Sequence, residues 1–365
     1  MTLQNTRLIS LDAMRGFTIA AMVLVNFPGS WQHVYSPLLH ADWNGLTPTD
    51  LVFPFFLFIV GVSIALAYSR RLDAGANKRE MYRKILIRSL KIYAVGMILN
   101  LIPDFNFIEL RWTGVLHRIA VVFFVCAMLF LNSDWKTQAW IAALILVGYW
   151  LAMVLIPTPG FGTVSLEPGV NLAAWIDSQF LPGRKYQGTW DPEGILSTLP
   201  AIATGIFGLL AGRLFLTQLS SHEKANYLMV WGLFSVALVY FWHLGFPVNK
   251  NLWSSSFVMV TSGLASLVLG AVYFLVDIKG KQKGTYMGIV FGANAIAVYV
   301  LADLLSLIFY SLSIGGMSLN QHFVSSLSNV GIRPEFASML YALLFVTINF
   351  IPAYILYKKR VFIKL

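Results

Sequence analysis

A series of long apolar segments constrains the fold of this chain more than any other feature. Of its 365 residues, 58% are hydrophobic and 12% are charged, and the mean hydropathy is +0.71. Soluble domains carry about 25% charged residues. A helix of about 18–24 residues crosses the ~30 Å apolar layer of a bilayer, and helices satisfy their own backbone hydrogen bonds there. The sequence therefore predicts an all-α polytopic membrane protein with about ten transmembrane helices in a single domain, residues 1–365.

The predicted spans are separated by short polar loops, with one longer exception. They are 8–27, 50–69, 85–103, 114–131, 137–156, 195–216, 227–245, 255–276, 287–310 and 335–357. Residues 157–194 form the long loop, which is rich in glycine and proline. Residues 1–25 are not expected to be a cleaved signal, because Arg15 interrupts the first apolar run.

The distribution of Lys and Arg predicts the orientation in the membrane. With a cytoplasmic N-terminus, nineteen cations fall on the cytoplasmic face and six on the opposite face. Such an asymmetry is the positive-inside signal. Both termini are therefore predicted in the cytoplasm, and the net charge of +10 needs no nucleic acid partner. The single cysteine, Cys126, excludes an internal disulfide.

The first predicted span carries polar residues that need an explanation. Arg15 lies three residues after Asp12, so the two can pair on one helix face, or Arg15 can anchor an anionic ligand from the cytoplasm. Gly16 allows a neighbouring helix or a ligand to approach closely. Asn26, at the outer end, is either a helix cap or a hydrogen-bond donor to a substrate carbonyl.

The segment HADWNG, residues 40–45, concentrates polar chemistry in a short outer loop. His40 can act as a general base or nucleophile near neutral pH. Asp50, in the TPTD run that begins the second span, either caps that helix or orients a catalytic group. A metal site formed by His33, His40 and Asp42 is an alternative, but their spacing matches no strong ligand pattern, and no metal is predicted.

Further polar residues mark the fourth, sixth and ninth spans. His117 and Arg118 open the fourth span, where Arg118 can snorkel to the interface. The run DPEG, 191–194, puts two carboxylates at a helix N-terminus, which the helix dipole stabilises. Asn294 and Asp303 lie in the ninth span, and an acid at that depth marks a candidate functional site.

Five stretches together resemble the heparan-α-glucosaminide N-acetyltransferase family of ten-helix transmembrane acyltransferases, in its shorter bacterial form. They are RLISLDAMRGFTIAAMVLVN, HADWNGLTPTDLVFPFFLFIVGVSI, GVLHRIA, DPEGILSTLPAIATGIFGLLAG and GANAIAVYV, in order from about residue 7 to residue 357. Asp42 stands where this family often has serine, and His117 where it often has glutamine, which leaves the acceptor specificity open.

The resemblance implies an acetyl-CoA-dependent N-acetyltransferase. Acetyl-CoA would enter the bundle from the cytoplasm, and the acetyl group would reach a histidine near the opposite face and pass to a hexosamine amine. His40 matches that histidine, and Asn26 matches an asparagine proposed to act with it. Whether the histidine carries the acetyl group or acts as a base in direct transfer stays open. The resemblance also implies a bacterial inner-membrane location and is compatible with a homodimer.

With this resemblance, the candidate site residues fall into three groups. The catalytic group is His40, Asn26 and Asp50. Cationic residues expected to bind the cofactor acetyl-CoA are Arg15, Arg88, Lys91 and Arg118. Residues expected to bind the amino-sugar substrate are Asp42, Trp43, Asn44, His117, Asp191, Glu193 and Asn294.

Two other hypotheses remain open from the sequence. The chain could be a transporter for a sugar or organic anion that uses Arg15 and Asp303 as charges within its spans, although paired inverted repeats with broken helices are not visible. Alternatively, the same machinery could acylate another envelope glycan. No Walker motif, GxSxG, HExxH or CxxC is present, so nucleotide hydrolysis and zinc chemistry find no support.

Overall fold

The computed structural model describes residues 8–363, and helices dominate this part of the chain. The α-helices are α1 (Ile9–Asn26), α2 (Val52–Asp73), α3 (Lys78–Leu101), α4 (Val115–Asn132), α5 (Trp135–Leu155), α6 (Leu172–Phe180), α7 (Ile195–Phe215), α8 (Ser221–Gly245), α9 (Ser255–Tyr273), α10 (Tyr286–Ala293), α11 (Ala295–Ser311), α12 (Leu319–Asn329) and α13 (Pro334–Lys358). A π-helical turn, Phe274–Ile278, follows α9, and strands β1 (Ser313–Ile314) and β2 (Met317–Ser318) pair antiparallel. The all-α prediction is confirmed.

Most of the predicted spans correspond to helices that fit a membrane. Within residues 8–363, eight helices are long and apolar enough to cross a bilayer, and a ninth span results if α10 and α11 are counted as one. The remaining predicted span, 85–103, lies in α3, whose first half is rich in cations. The long loop 157–194 contains the short helix α6.

The prediction of one continuous helix over 287–310 is wrong. The backbone leaves helical geometry at Asn294, with φ −130° and ψ 41°, and the axes of α10 and α11 differ by 81°. The Asn294 side chain donates to the carbonyl of Val361 at 3.0 Å and accepts the N–H of Ile363 at 2.8 Å. Backbone groups of the C-terminal segment therefore form hydrogen bonds with the side chain at the break. The hydropathy of residues 287–310 alone cannot show such partners.

The first of two compact units contains residues 8–40, 47–56 and 269–363 of the described chain. Here α1 packs along α10, and Gly16 lies against the backbone of Gly288 and Gly292. The Asp277 carboxylate accepts the N–H groups of Ile9 at 3.0 Å and Ser10 at 3.1 Å, which caps α1.

The second unit contains residues 41–46 and 57–268. Glycines again bring helices together, because Gly208 of α7 lies against the backbone of Phe58 of α2 and Gly61 of α2 lies against Gly205 of α7. Small residues at such positions allow helices in lipid to pack by close backbone contact. A buried cluster that includes Tyr149 and Phe246 packs α5 against the segment after α8.

Candidate active site

His40 and Asp50 form a hydrogen-bonded pair in the first unit. The Nδ1 atom of His40 lies 2.7 Å from Oδ1 of Asp50. The Asp50 side chain has no solvent exposure, whereas the His40 side chain is 44% exposed. An ionised carboxylate can only accept a hydrogen bond, so Nδ1 of His40 must donate its N–H to Asp50. In the neutral ring the proton is therefore on Nδ1, and Nε2 is the basic nitrogen.

The TPTD run holds Asp50 in place before α2 begins. Thr47 and Asp50 form a capping box around the helical turn Pro48–Leu51, in which Oδ2 of Asp50 accepts the Thr47 N–H at 2.9 Å. The Thr47 hydroxyl lies 3.0 Å from the same oxygen and 2.7 Å from the Leu39 carbonyl. Asp50 therefore caps the turn and contacts His40 at the same time, and its orienting of a catalytic group stays a prediction.

Asn26 is the last residue of α1 and is half-buried. Its side chain makes no hydrogen bond within residues 8–363. The residues that follow are tied to other helices of the first unit, since the Gly29 N–H donates to the Ser338 carbonyl at 3.2 Å and Asn320 donates to the Gly29 carbonyl at 3.0 Å. The hydrogen-bonding groups of the Asn26 amide are therefore not used by other residues of this part of the chain, and their contact with a substrate stays a prediction.

Residues 41–46 are held by loops of the second unit. Trp43 donates its indole N–H to the Leu166 carbonyl at 3.1 Å and meets Trp190 edge-to-face, with ring centroids 5.4 Å apart. The side-chain oxygen Oδ1 of Asn44 accepts a hydrogen bond from the side-chain amide of Asn249 at 3.1 Å. Asp42 is exposed. The long loop 157–194 therefore contacts the HADWNG segment directly, which the sequence did not indicate.

The two DPEG carboxylates converge on Arg111, a residue that the sequence analysis did not place in a site. Arg111 forms two hydrogen bonds to Asp191, at 2.7 and 2.6 Å, and one to Glu193, at 2.7 Å. Burial opposes ionisation of Asp191, but the hydrogen bonds and charge of Arg111 outweigh it and lower the pKa of that carboxyl. The roles of Asp191 and Glu193 in substrate binding stay predictions.

Asp177 is a second residue missed from the sequence. It lies on α6 and accepts the N–H of Ile195 at 2.9 Å and of Asp191 at 3.2 Å, so it caps α7 from a distant segment. Burial raises the pKa of Asp177 to about 6, against the lowering effect of those two N–H groups. Nothing local to the DPEG run reveals this partner, because residue 177 lies in a loop helix.

His117 and Arg118 lie in the interior of the second unit. Arg118 is 2% exposed, donates to the Pro192 carbonyl at 2.9 Å and to Ser197 at 2.6 Å, and stacks on Trp253. The alternative of a snorkelling arginine is therefore wrong. Within the described part of the chain, neither ring nitrogen of His117 and neither Nε nor Nη1 of Arg118 has a hydrogen-bond partner, so binding of a ligand by these residues stays a prediction.

The other cationic candidates lie on helices α1 and α3. Arg15 pairs with Asp12 at 3.1 Å, as one of its two predicted roles required. Arg88 and Lys91 are exposed and lie three residues apart on α3, with Arg88 over the Phe123 ring at 4.7 Å. Their spacing places them on the same helix face, but their binding of a cofactor phosphate stays a prediction.

The structure separates the residues of the alternative metal site. His33 faces Glu335 at 3.9 Å, whereas His40 faces Asp50. Among residues 8–363, no three His, Cys, Asp or Glu side chains form a group able to hold a metal ion.

Comparison with known proteins identifies the family. A family model described as heparan-alpha-glucosaminide N-acetyltransferase, catalytic, matches residues 7–244. The human heparan-alpha-glucosaminide N-acetyltransferase is 34% identical over 356 residues, covering 80% of this chain and 52% of that protein. The mouse protein of the same name is 31% identical over 424 residues, covering 98% of this chain and 60% of that protein. The chain thus spans little more than half the length of these relatives, and it belongs to the heparan-alpha-glucosaminide N-acetyltransferase family.

Proposed function

We propose that this protein is a transmembrane N-acetyltransferase that moves an acetyl group from acetyl-CoA to the amine of glucosamine or a glucosamine-terminated saccharide. Family membership supports the reaction class. The observation that carries the proposal is the pair formed by exposed His40 and fully buried Asp50 at 2.7 Å. A carboxylate that fixes an imidazole in one tautomer is the arrangement that acyl transfer requires of its base.

In the direct route, the neutral amine attacks the thioester carbonyl carbon. The new C–N bond forms, the amine proton passes to Nε2 of His40, and the C–S bond breaks to release CoA as a thiolate, which then takes up a proton. In the alternative route, Nε2 attacks the thioester carbonyl carbon, and the C–S bond breaks to release CoA as a thiolate. The amine then attacks the acetyl carbon, the Nε2–C bond breaks, and the thiolate or Nε2 takes up the amine proton. Asp50 stabilises the imidazolium in the direct route and the acetylated ring in the other.

Asn26 is proposed to stabilise the carbonyl oxygen as negative charge develops on it. Its side-chain amide can donate N–H groups, and none of these is used within residues 8–363. Removal of one such donor typically costs about 2.7–4 kcal/mol in transition-state stabilisation.

The remaining proposed contacts involve the two substrates. The phosphates of acetyl-CoA would meet guanidinium and ammonium groups, which bind phosphate by charge-assisted hydrogen bonds; the candidates are Arg15, Arg88, Lys91 and Arg118. The amino sugar would meet Asp42, Trp43 and Asn44, with His117, Asp191 and Glu193 as further candidates. The predicted role of Asn294 does not fit an acceptor on the periplasmic side, because its amide contacts Val361 and Ile363 close to the C-terminus.

We propose that the protein lies in a bacterial cytoplasmic membrane with both termini in the cytoplasm, where acetyl-CoA is available, and the acceptor on the periplasmic side. The charge asymmetry of nineteen to six cations supports this orientation. Termini on one face need an even number of crossings. If the broken pair α10–α11 makes one crossing, the candidate spans number nine, and the proposal then requires α3 to cross as well.

The test is reconstitution of the purified protein in lipid vesicles with acetyl-CoA and glucosamine, with release of CoA and formation of N-acetylglucosamine measured. Wild type should form both products in equal amounts, and His40→Ala should lose activity by at least about 100-fold. His33→Ala is a matched control, because His33 also faces a carboxylate but at 3.9 Å and with both groups exposed. Equal product formation by wild type and His40→Ala would overturn the proposal.

The same vesicles separate the other hypotheses. Accumulation of labelled sugar without acetylation would indicate a transporter, and acetylation of an oxygen-bearing envelope glycan instead of glucosamine would indicate a different acceptor. Transfer of radiolabelled acetyl from acetyl-CoA to the protein, without acceptor and dependent on His40, would favour the acetyl-histidine route over direct transfer.

A further inference from the structure

An apolar groove lies between α11 and α13 in the first unit. Its volume is about 470 Å³, and all of its lining side chains are apolar. They include Ala297, Leu301 and Leu304 of α11, Pro352 and Leu356 of α13, and Ile363 of the C-terminal segment. Both helices belong to candidate membrane spans. The chemistry of this lining suits a hydrocarbon chain.

The C-terminal segment turns back onto this groove. Asn294 holds it through Val361 and Ile363, as described above. The turn itself is made by Arg360, whose N–H donates to the Tyr357 carbonyl at 3.1 Å, while the Val361 N–H donates to the Leu356 carbonyl at 2.9 Å. These two hydrogen bonds define a Schellman motif, in which the residue at the Arg360 position adopts a left-handed conformation.

Arginine is an unfavourable residue for that turn. Its φ is +54°, a value that glycine adopts without steric cost and that other residues adopt only at a cost. Glycine would form the same turn with less strain. The presence of arginine therefore suggests that the guanidinium has a function at this position that offsets the conformational cost.

Three consecutive cations lie in the turn between two residues that line the groove. Lys358, Lys359 and Arg360 follow Leu356 after one intervening residue, Tyr357, and precede Ile363. All three are exposed. Lys359 and Arg360 form no ion pair with any of residues 8–363, and Lys358 lies over the Tyr354 ring at 5.5 Å. An apolar groove flanked in the chain by exposed cations, two of which have no ion pair with residues 8–363, complements a lipid with an anionic headgroup.

We propose that this groove binds a bilayer phospholipid with an anionic headgroup. One acyl chain lies between α11 and α13 against Leu301 and Leu356, and the phosphate group accepts hydrogen bonds from Lys359 and Arg360. This site is independent of the proposed acetyl transfer.

The test is native mass spectrometry of the full-length protein in detergent, with phosphatidylglycerol or phosphatidylcholine of identical acyl chains added in turn. Wild type should retain phosphatidylglycerol in preference to phosphatidylcholine. Lys359→Gln combined with Arg360→Gly should lower the affinity for phosphatidylglycerol by about fivefold per cation removed, while the affinity for phosphatidylcholine changes little. Lys281→Gln with Lys283→Gln removes the same charge from another loop and should leave both affinities unchanged.

The lipid-free melting temperature separates loss of binding from loss of folding. Because Arg360→Gly removes a left-handed non-glycine residue, the double variant should melt at or above the wild-type temperature. Ala297→Phe should obstruct the groove and lower retention of both lipids; Leu304→Trp, at an exposed lining position, serves if that variant folds poorly.

Three results would overturn the proposal. One is unchanged preference for phosphatidylglycerol in the double variant. Another is unchanged lipid retention in a folded groove-blocking variant. The third is full displacement of phosphatidylglycerol by soluble glycerol phosphate, which would show a phosphate site that does not use the groove.

Discussion

The buried Asp50 carboxylate 2.7 Å from His40 Nδ1 leads to the first residue-level prediction. Asp50→Asn presents an amide that can donate to Nδ1 and so favours the tautomer with its proton on Nε2, which cannot accept a proton from the amine. We expect kcat for acetyl transfer to fall about 100-fold or more with a small change in KM for acetyl-CoA, measured by CoA release. Glu335→Gln, which alters the exposed His33 pair, is the control. Wild-type kcat in Asp50→Asn would contradict the role assigned to Asp50.

Arg111 neutralises two carboxylates of which Asp191 is fully buried and Glu193 nearly so. Removing one partner of a buried ion pair leaves uncompensated charge, at a cost of about 3–5 kcal/mol. Arg111→Gln should therefore lower thermal stability strongly in detergent. Arg184→Gln removes an exposed pair with Asp104, with side chains 60% and 67% exposed at 4.0 Å, and should have little effect. Equal melting temperatures for the two variants would show that the Arg111 cluster is not stabilising.

We expect Asp177 to make the stability of the folded chain fall as the pH rises, whereas a carboxylate in an ordinary ion pair makes stability rise with pH. Burial raises its folded-state pKa to about 6 from the usual 3.8, so the folded chain binds the proton more tightly than the unfolded chain. Stability from this group is present below about pH 3.8 and is lost as the pH rises through about 6. Asp177→Asn does not titrate. Its melting temperature minus that of wild type should therefore become more positive from about pH 4 to about pH 7; a flat difference would rule this out.

Close contacts at glycines hold pairs of helices together, and we expect their loss to destabilise the protein. A Cβ atom at Gly16 would overlap the Gly288 carbonyl of α10, whereas a Cβ at Gly148 of α5 meets nothing within 4 Å. Gly16→Ala should force α1 and α10 apart and cost about 1–3 kcal/mol of stability. Gly148→Ala should be neutral or stabilising by up to about 1 kcal/mol, because alanine favours the helix. Melting temperatures of the two variants compare them directly, and similar values would contradict the close packing of α1 on α10.

At the scale of the whole molecule, the number of membrane crossings depends on α3. We expect cysteines from Ala76→Cys and Asn106→Cys, in the loops before and after α3, to react with a membrane-impermeant thiol reagent from opposite sides of the membrane. The natural Cys126 is fully buried and should give little background. Labelling of both positions from one side would mean that α3 does not cross, and, with α10–α11 counted as one crossing, would place the termini on opposite faces.

The sequence predicted several local features that depend on neighbouring residues in the chain. The pairing of Arg15 with Asp12 follows from helical spacing, and the capping role of Asp50 follows from its place before an apolar run. The sequence also offered Asp50 as a residue that orients a catalytic group, and the structure shows its contact with His40 at 2.7 Å. Family resemblance, rather than residue spacing, gave His40 its predicted catalytic role.

Features that join distant segments were missed or wrongly predicted, because residue spacing along the chain does not show which distant segments meet. The Arg111 partner of DPEG lies 80 residues away from Asp191, and Asp177 caps α7 from a loop helix. The break at Asn294 was predicted as continuous helix, since its apolar flanks have the hydropathy of an uninterrupted span. The Asn294 side chain forms its hydrogen bonds with the backbone of Val361 and Ile363, which lie 67 and 69 residues further along the chain.

The sequence by itself determined that the chain is a bundle of membrane helices, because long apolar segments have no other way to satisfy their backbone in lipid. It also determined the family, through ordered motifs spread along the chain. Only the tertiary structure decided which charges far apart in the chain neutralise one another, where the ninth span breaks and which side chains keep unused hydrogen-bonding groups. These depend on contacts between segments far apart in the chain, and burial makes such contacts selective, since a polar group inside the protein must find its partner there.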